Sequence, residues 1–152
     1  MDLPTSQCWL VIPIEPPTST HQANLRVMKR RTGQFFVGKM KNNKISKWVD
    51  GVRPYLIQGK PDKPIEGPVR CYIRLYYTAP KYLLRKIDSC KTIVKTTKPD
   101  VDNVVKVILD ELTKCGYWVD DNQIWCITIE KYWSATPSIR LYFDQNQNPQ
   151  HQ

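Results

Sequence analysis

The sequence has few of the residues that build zinc sites and disulfide frameworks. It contains two histidines, and its five cysteines are Cys8, Cys71, Cys90, Cys115 and Cys126. The cysteine count is odd and no two cysteines have C-x-x-C spacing, so neither a zinc site nor a disulfide scaffold is expected. We interpret the cysteines as reduced, mostly buried thiols of a cytoplasmic protein.

Long hydrophobic runs are also missing. No apolar stretch approaches the roughly 20 residues that cross a bilayer, and Met1–Leu10 lacks the basic and apolar regions of a signal peptide. We therefore expect no membrane partner and a cytoplasmic location. The length of 152 residues fits one domain. We predict a single domain over residues 1–152, with a disordered tail at 145–152.

Positive charge is in excess and is unevenly distributed along the chain. The formal net charge is +9. Residues 20–98 hold 19 Lys/Arg and four acids, whereas residues 99–144 hold four Lys/Arg and eight acids. A basic segment suits a polyanionic partner, most often nucleic acid. A basic surface beside an acidic pocket is the charge distribution that a nuclease needs, because cations hold phosphates and carboxylates hold a metal ion.

Hydrophobic periodicity predicts a small α+β domain, with a mixed sheet and two main helices in the order β-α-β-α-β-β. The predicted strands are Trp9–Ile12, Val69–Thr78, Ile124–Tyr132 and Ser138–Phe143, the last two as a closing pair, with a weaker strand at Gln34–Gly38. The predicted helices are a basic amphipathic one over Ile45–Leu56, kinked or shortened by Pro54, and a stronger one from Val101 to near Gly116. Two basic segments are interpreted as exposed loops, Thr18–Arg31 and Lys81–Lys98.

Two acidic clusters flank the strongest predicted helix. Asp100 lies just outside its first turn and Asp102 inside it, so both side chains can reach one point beyond the helix end. Asp120 and Asp121 follow the turn at Gly116, on a loop that can fold back beside the helix. Carboxylate oxygens are ligands that Mg²⁺ prefers. Bound Mg²⁺ can neutralise a scissile phosphate and generate hydroxide near neutral pH.

Each of these residues also has a structural role available. Asp100 is a good N-cap residue, and Asp102 in the first turn favours the helix dipole. Asp120 and Asp121 are typical of a polar turn. Lys106 lies one turn from Asp102, where it could orient that acid, neutralise a phosphate or remain a solvated charge. The residues alone therefore predict a basic domain with a candidate acidic metal site, and they leave these alternatives open.

The run from Asp100 to Gln123 resembles the signature of the RusA family of Holliday-junction resolvases. That signature reads D-x-D-N, then a helix with a lysine and a later D-x-L, then a Gly-aromatic pair and D-D-x-Q before a strand. The resemblance implies a homodimeric endonuclease that uses Mg²⁺ or Mn²⁺ to nick two opposing strands of a four-way DNA junction. It further implies that the catalytic residues are Asp100, Asp102, Asp121 and Lys106, that the three acids bind the metal, and that Asp120 assists. Such proteins are often encoded by phages or prophages, so a bacterial host cytoplasm is the expected location.

The predicted DNA-binding residues come from the basic segments, and they are Arg30, Arg31, Lys81, Arg85, Lys86, Lys91, Lys95 and Lys98. The chain is longer than compact members of the family, and the excess lies mainly in residues 26–47 and 81–98. Two other functions stay open. One is a non-catalytic, structure-selective DNA-binding protein, whose basic and aromatic residues explain binding alone. The other is a metal nuclease that acts on other branched DNA.

Overall fold

The structure is a computed structural model that describes residues 9–19, 24–40, 43–88 and 92–145. It confirms an α+β domain built on a mixed sheet, with a third, short helix in addition to the two main ones. In chain order the elements are β1 (Leu10–Ile12), β2 (Asn24–Lys29), β3 (Phe35–Met40), α1 (Asn43–Gly59), β4 (Val69–Thr78), α2 (Lys81–Ile87), β5 (Ile93–Val94), α3 (Val101–Cys115), a 3₁₀ turn (Asp121–Gln123), β6 (Ile124–Ser134) and β7 (Ser138–Asp144).

Strand β4 is the centre of a five-stranded sheet with the order β1-β7-β4-β6-β5. It runs parallel to β6 and antiparallel to β7. The prediction that the last two strands pair with each other is therefore wrong, because β4 lies between them. Every second residue of β4, from Val69 to Tyr77, is buried. A long apolar strand is most stable where both of its backbone edges are hydrogen-bonded, and this outweighs the short connection between β6 and β7.

Helices α1 and α3 cover the same face of the sheet. Most of the apolar positions predicted for the two helices are buried, namely Ile45, Val49, Val52 and Leu56 of α1 and Val104, Val105, Ile108 and Leu112 of α3. The other predicted positions, Trp48, Val101 and Leu109, are half-buried. Most of the buried positions meet the inward residues of β4 and β7 in one core. Each fully buried Leu or Ile contributes about 1.5–3 kcal/mol. The stability of α3 therefore comes from its apolar stripe, which leaves the opposite face available for polar residues.

Three local predictions differ from the structure. Helix α1 is not shortened at Pro54 but continues to Gly59, because burial of Leu56 in the core offsets the roughly 3 kcal/mol cost of an internal proline. The segment predicted as a loop at Thr18–Arg31 contains β2, which pairs with β3 in a separate two-stranded sheet. The segment Lys81–Lys98 contains α2 and β5. Both segments were predicted as loops because they are basic and lack clear periodicity, but charge carries little information on backbone conformation.

Some predictions fall on residues outside the described ones, namely Cys8, Cys90, Lys91 and the tail from residue 146. The three described cysteines, Cys71, Cys115 and Cys126, carry free thiols. Burial raises the pKa of the Cys71 thiol to about 12, so it stays protonated. Within the described part of the chain, no helix is both long and apolar enough to cross a membrane.

Candidate active site

The N-terminus of α3 presents two acidic side chains. Asp100 is the N-cap residue, yet its side chain makes no capping hydrogen bond. Asp102 lies in the first turn, and both side chains are exposed. The positive end of the helix dipole favours negative charge here. Capping was the main structural alternative for Asp100, and it does not account for the Asp100 carboxylate in this structure.

Two lysines hold the loop that precedes these acids. Lys95 Nζ donates to the Thr97 carbonyl (3.2 Å), the Thr97 hydroxyl (2.5 Å) and the Lys98 carbonyl (2.5 Å). Lys131 Nζ, from β6, donates to the carbonyls of Thr97 (2.9 Å) and Pro99 (2.6 Å). We call this pair of lysines the lysine clamp. Because its hydrogen bonds anchor residues 97–99 to the sheet, the clamp fixes the backbone position of Asp100, which follows them.

Lys95 is an interior residue. Its exposed fraction is 5%, and its ammonium lies 4.1 Å from the centroid of the Trp133 ring and 5.2 Å from that of Tyr77. Burial lowers the pKa of Lys95, and the charge of Lys131 lowers it further, against an opposing effect of Glu15. The prediction that Lys95 belongs to an exposed DNA-binding loop is therefore wrong.

The other described cations predicted to bind DNA are exposed. They lie at the turn of the β2–β3 hairpin (Arg30, Arg31), on α2 (Lys81, Arg85, Lys86) and just before α3 (Lys98). All of them precede the acidic start of α3 in the chain. Exposed Arg and Lys side chains are the groups that neutralise DNA phosphates. The contact of these residues with DNA stays a prediction.

The turn after α3 is fixed by buried aromatic residues. Gly116 ends the helix in the left-handed region (φ 84°), as predicted from its position. Tyr117 donates its hydroxyl to the Leu56 carbonyl at 2.8 Å. Trp118 donates its ring N–H to the Thr113 hydroxyl at 2.8 Å. Both aromatic side chains are buried, so the Gly-aromatic pair of the motif positions the following acids.

Asp120 and Asp121 differ in what their carboxylates do. Asp120 accepts a hydrogen bond from the Asn122 backbone N–H at 2.8 Å and is part of a capping box with Gln123. The structural alternative of a polar turn therefore applies to Asp120. Asp121 is exposed, and within the described residues nothing is bonded to its carboxylate. Of the two acids, Asp121 is the one whose side chain is available to a ligand.

Gln123 is a positioning residue whose role was not recognised in the sequence. Its Oε1 accepts hydrogen bonds from the Val119 and Asp120 N–H groups at 2.9 and 3.1 Å. Its Nε2 donates to the carbonyls of Ile65 and Gly67 at 2.8 and 3.0 Å. One side chain thus ties the acidic turn to the loop between α1 and β4. This explains why the motif ends with a glutamine.

Lys131 was also missed, although the sequence carries a signal for it. In β6 it lies on the same face as Ile129 and Trp133, which are two residues away on either side and pack against the core. A lysine at an inward position of a strand needs internal acceptors for its ammonium. The acceptors turn out to be the carbonyls of the loop 97–99.

The acidic residues form two groups at opposite ends of α3. Asp121 lines an open groove of 240 Å³ with Asp110, Thr113, Lys114, Val119 and Asp120. Asp102, Lys106 and Asp110 follow one stripe along α3 by their i, i+4 spacing. The eight helical steps from Asp102 to Asp110 span about 12 Å of helix axis. The described residues include no group of three His, Cys, Asp or Glu that could hold a metal ion, so one chain does not bring all the predicted acids together.

A buried carboxylate joins α3 to α1. Glu111 has a side-chain exposure of 1% and accepts hydrogen bonds from Arg53 Nη2 at 2.9 Å and Lys114 Nζ at 2.7 Å. Burial raises the pKa of Glu111, but the two cations, Lys114 first, lower it by more, so the net shift is downward. This acid serves the fold, and its partners fix the end of α3 that lies next to the groove.

Comparison with known proteins gives the family. The family model described as endodeoxyribonuclease RusA matches residues 13–142, and the chain therefore belongs to the RusA family. The chain is also 34% identical over 89 residues to an uncharacterized protein, YqaN, of Bacillus subtilis (strain 168). That match covers 55% of this chain and 62% of the relative. The chain thus spans less than two thirds of the length of that relative.

Proposed function

We propose that the protein is a structure-selective endodeoxyribonuclease that resolves four-way (Holliday) DNA junctions in the cytoplasm by paired, Mg²⁺-dependent phosphodiester hydrolysis, with Mn²⁺ as a substitute. The observation that carries the proposal is the polar stripe of α3, with exposed acids at both ends, in a chain that belongs to an endodeoxyribonuclease family. Asp100 and Asp102 lie at one end of the stripe and Asp121 at the other. The exposed cations outside the stripe would hold the DNA backbone.

The acids suit the proposed metal by their chemistry. Asp100, Asp102 and Asp121 would hold it, with assistance from Asp120, because carboxylate oxygens are hard ligands of the kind that Mg²⁺ prefers. When bound, Mg²⁺ supplies charge neutralisation at the phosphate and a lower pKa for water. Lys106 is exposed midway along the stripe. We expect its ammonium to contact a phosphate oxygen of the strand that is cut.

We further propose that a homodimer completes the site. Within one chain the two acidic groups are separated by about 12 Å or more of helix. A two-fold axis beside the middle of α3 would lay two copies of the helix antiparallel. Asp102 of one protomer would then lie next to Asp121 of its partner, and the same contact would occur twice. Two equivalent sites related by a two-fold axis match a junction that is itself two-fold symmetric.

The dimer proposal has a direct test in mixed dimers. Asp102→Asn and Asp121→Asn chains, each inactive alone, are co-expressed with different affinity tags and the mixed dimer is purified. If each site takes Asp102 from one chain and Asp121 from the other, the mixed dimer has one intact site and one doubly substituted site. We expect it to make single nicks in a junction. A mixed dimer that stays inactive would overturn shared sites without touching the nuclease proposal.

The nuclease proposal is tested by nicking assays on a labelled synthetic four-way junction, with linear duplex and flap DNA as controls. We expect symmetric nicks that depend on Mg²⁺ and are confined to the junction. Binding without cleavage in either Mg²⁺ or Mn²⁺ would indicate a DNA-binding protein whose acids serve the turn and the helix end. Preferred cleavage of flap DNA would support the proposed metal-dependent hydrolysis, but the substrate would then be flap DNA and not the four-way junction.

A further inference from the structure

The β2–β3 hairpin exposes an unusual amount of apolar and basic surface. Every described side chain from residue 26 to residue 37 is exposed. Val27 and Phe35 each have an exposed fraction of 70%, and Val37 has 62%. From Asn24 to Met40 the sequence of the hairpin contains five Lys/Arg and no acid. The surface of the hairpin is therefore both apolar and strongly positive, which is typical of surfaces that bind nucleic acid.

The two faces of the hairpin differ. Directly paired residues of an antiparallel ladder point to the same side, so Val27, Val37, Lys29 and Phe35 share one face and Met28 and Phe36 lie on the other. On the second face Met28 Cε occupies the space that a methyl group added to Gly38 would fill, so Met28 lies across the glycine. Phe36, which Arg30 overlies at 5.1 Å, has an exposed fraction of 37%. The second face is thus partly covered from within, whereas Phe35 on the first face keeps an exposed fraction of 70% beside Lys29.

Folding does not account for the uncovered face. β2 and β3 form their own two-stranded sheet, apart from the five-stranded one. An isolated hairpin is only marginally stable in water, and an exposed apolar face adds no stability unless something covers it. A second copy of the same arm would bring like charges together, whereas DNA would bring opposite ones. Charge therefore favours a polyanion as the occupant.

We propose that this hairpin is a base-stacking arm for branched DNA, in which Phe35, flanked by Val27 and Val37, stacks on a base exposed at the branch point. Aromatic side chains stack on unpaired bases whatever their sequence. The Lys29 ammonium lies 5.6 Å from the Phe35 ring centroid, so a cation already accompanies the stacking surface. Arg26, Arg30 and Arg31 would contact the neighbouring phosphates. The proposal rests on the proposed function, because only a branch or another distortion exposes bases to such an arm.

The test uses the full-length chain and a four-way junction carrying 2-aminopurine at the branch point, with Ca²⁺ in place of Mg²⁺ to prevent cleavage. A second junction carries the probe in the middle of one arm. We expect the wild-type chain to change the fluorescence at the branch point only. Phe35→Ala should abolish that change and weaken junction binding about five- to 150-fold, the range for loss of one stacked base. Affinity for linear duplex should change less than about threefold, since the phosphate contacts remain.

Phe36→Ala is the matched control, because it removes the same side chain from the adjacent position on the opposite face. It should keep the fluorescence change, and Phe35→Trp should keep both the change and the affinity. Equal losses in Phe35→Ala and Phe36→Ala would overturn the proposal, because the hairpin would then be needed only as a folded unit. A weaker dimer in Phe35→Ala, measured by sedimentation, would overturn it in favour of a second copy as the occupant. If Phe35→Ala still nicks the junction selectively, with unchanged affinity and fluorescence, the stacking proposal would be overturned and the proposed function would stand. If the wild-type chain neither prefers nor nicks the junction, the proposed function would be overturned as well.

Discussion

Helix α3 and the β2–β3 hairpin are attached to the domain in opposite ways. The helix is packed into the core along its apolar stripe, and the lysine clamp, Glu111 and Gln123 fix the segments at its two ends. The hairpin strands pair only with each other within the described residues. Catalytic groups need positions held within a fraction of an ångström, whereas a binding arm can adjust to its ligand. The difference fits the proposed division of roles, with the chemistry at α3 and adaptable binding at the hairpin.

The largest expected effect comes from replacing Asp102 at the N-terminal end of α3. Asp102→Asn should lower junction nicking at least about 10²–10³-fold, because in the proposed function Asp102 holds the metal that stabilises charge in the transition state. Binding of the junction should be kept or become tighter, since one negative charge near the phosphates disappears. Single-turnover nicking and a gel-shift titration measure the two effects. Parallel loss of binding would indicate that the Asp102 side chain is structural and would break the contrast between the two regions.

The lysine clamp should affect the rate without affecting binding. Lys131→Met removes the donor to the Thr97 and Pro99 carbonyls, and a shift of about 1 Å in the following acids should slow nicking about 10²-fold. Junction affinity should stay within about threefold. Lys131→Arg keeps a cationic donor and should restore part of the rate. A loss of rate that only follows a lower melting temperature, with no recovery in the arginine variant, would mean that the lysine serves stability alone.

Glu111 should matter for stability in a pH-dependent way. Its pKa is lowered in the folded chain, so its contribution is present above the ordinary carboxyl pKa and is lost as the pH falls through the folded value. Glu111→Gln should reduce the free energy of unfolding by about 1.5–3 kcal/mol at pH 7, the value of hydrogen bonds to a charged group. The deficit should shrink below about pH 4. Urea titrations across this range measure it, with exposed Glu66→Gln as a control expected to change stability by less than about 0.5 kcal/mol. A loss of unfolding free energy that does not vary with pH would show that the ion pairs of Glu111 are not its cause.

The smallest effect expected is on the salt dependence of binding. Replacing Arg30 and Arg31 by glutamine should reduce the slope of log affinity against log salt by about one for each phosphate that the variant no longer neutralises. Lys95→Met is the control, since the buried Lys95 ammonium should contribute nothing to the slope. Equal slopes in the arginine variant and the wild type would place the hairpin turn outside the DNA interface. A reduced slope in Lys95→Met would show that this lysine leaves the clamp when DNA binds.

The sequence predicted the parts of the fold that hydrophobic periodicity controls. The limits of β4 and the buried stripe of α3 agree with the prediction, because each is set by its own apolar spacing. The strand order was not predictable in this way, since β4 pairs with residues more than 50 positions away. Lys95 of the clamp was misread because a lysine in a basic segment has the same sequence signal whether it faces solvent or carbonyl groups. The proposed metal-binding acids were all named from the motif, but their separation along α3 required the three-dimensional arrangement.

The central position of β4 has a consequence for synthesis of the protein. Its two neighbours, β6 and β7, both follow α3 in the chain. While the chain leaves the ribosome, helix α3 therefore emerges before β6 and β7, the strands that complete the sheet beneath it. A domain generally folds as a unit, so this one cannot finish folding until both strands are available. The Lys131 donor of the clamp also arrives after the loop that it holds. The order of the strands therefore delays completion of the candidate site until β6 and β7 have been synthesised.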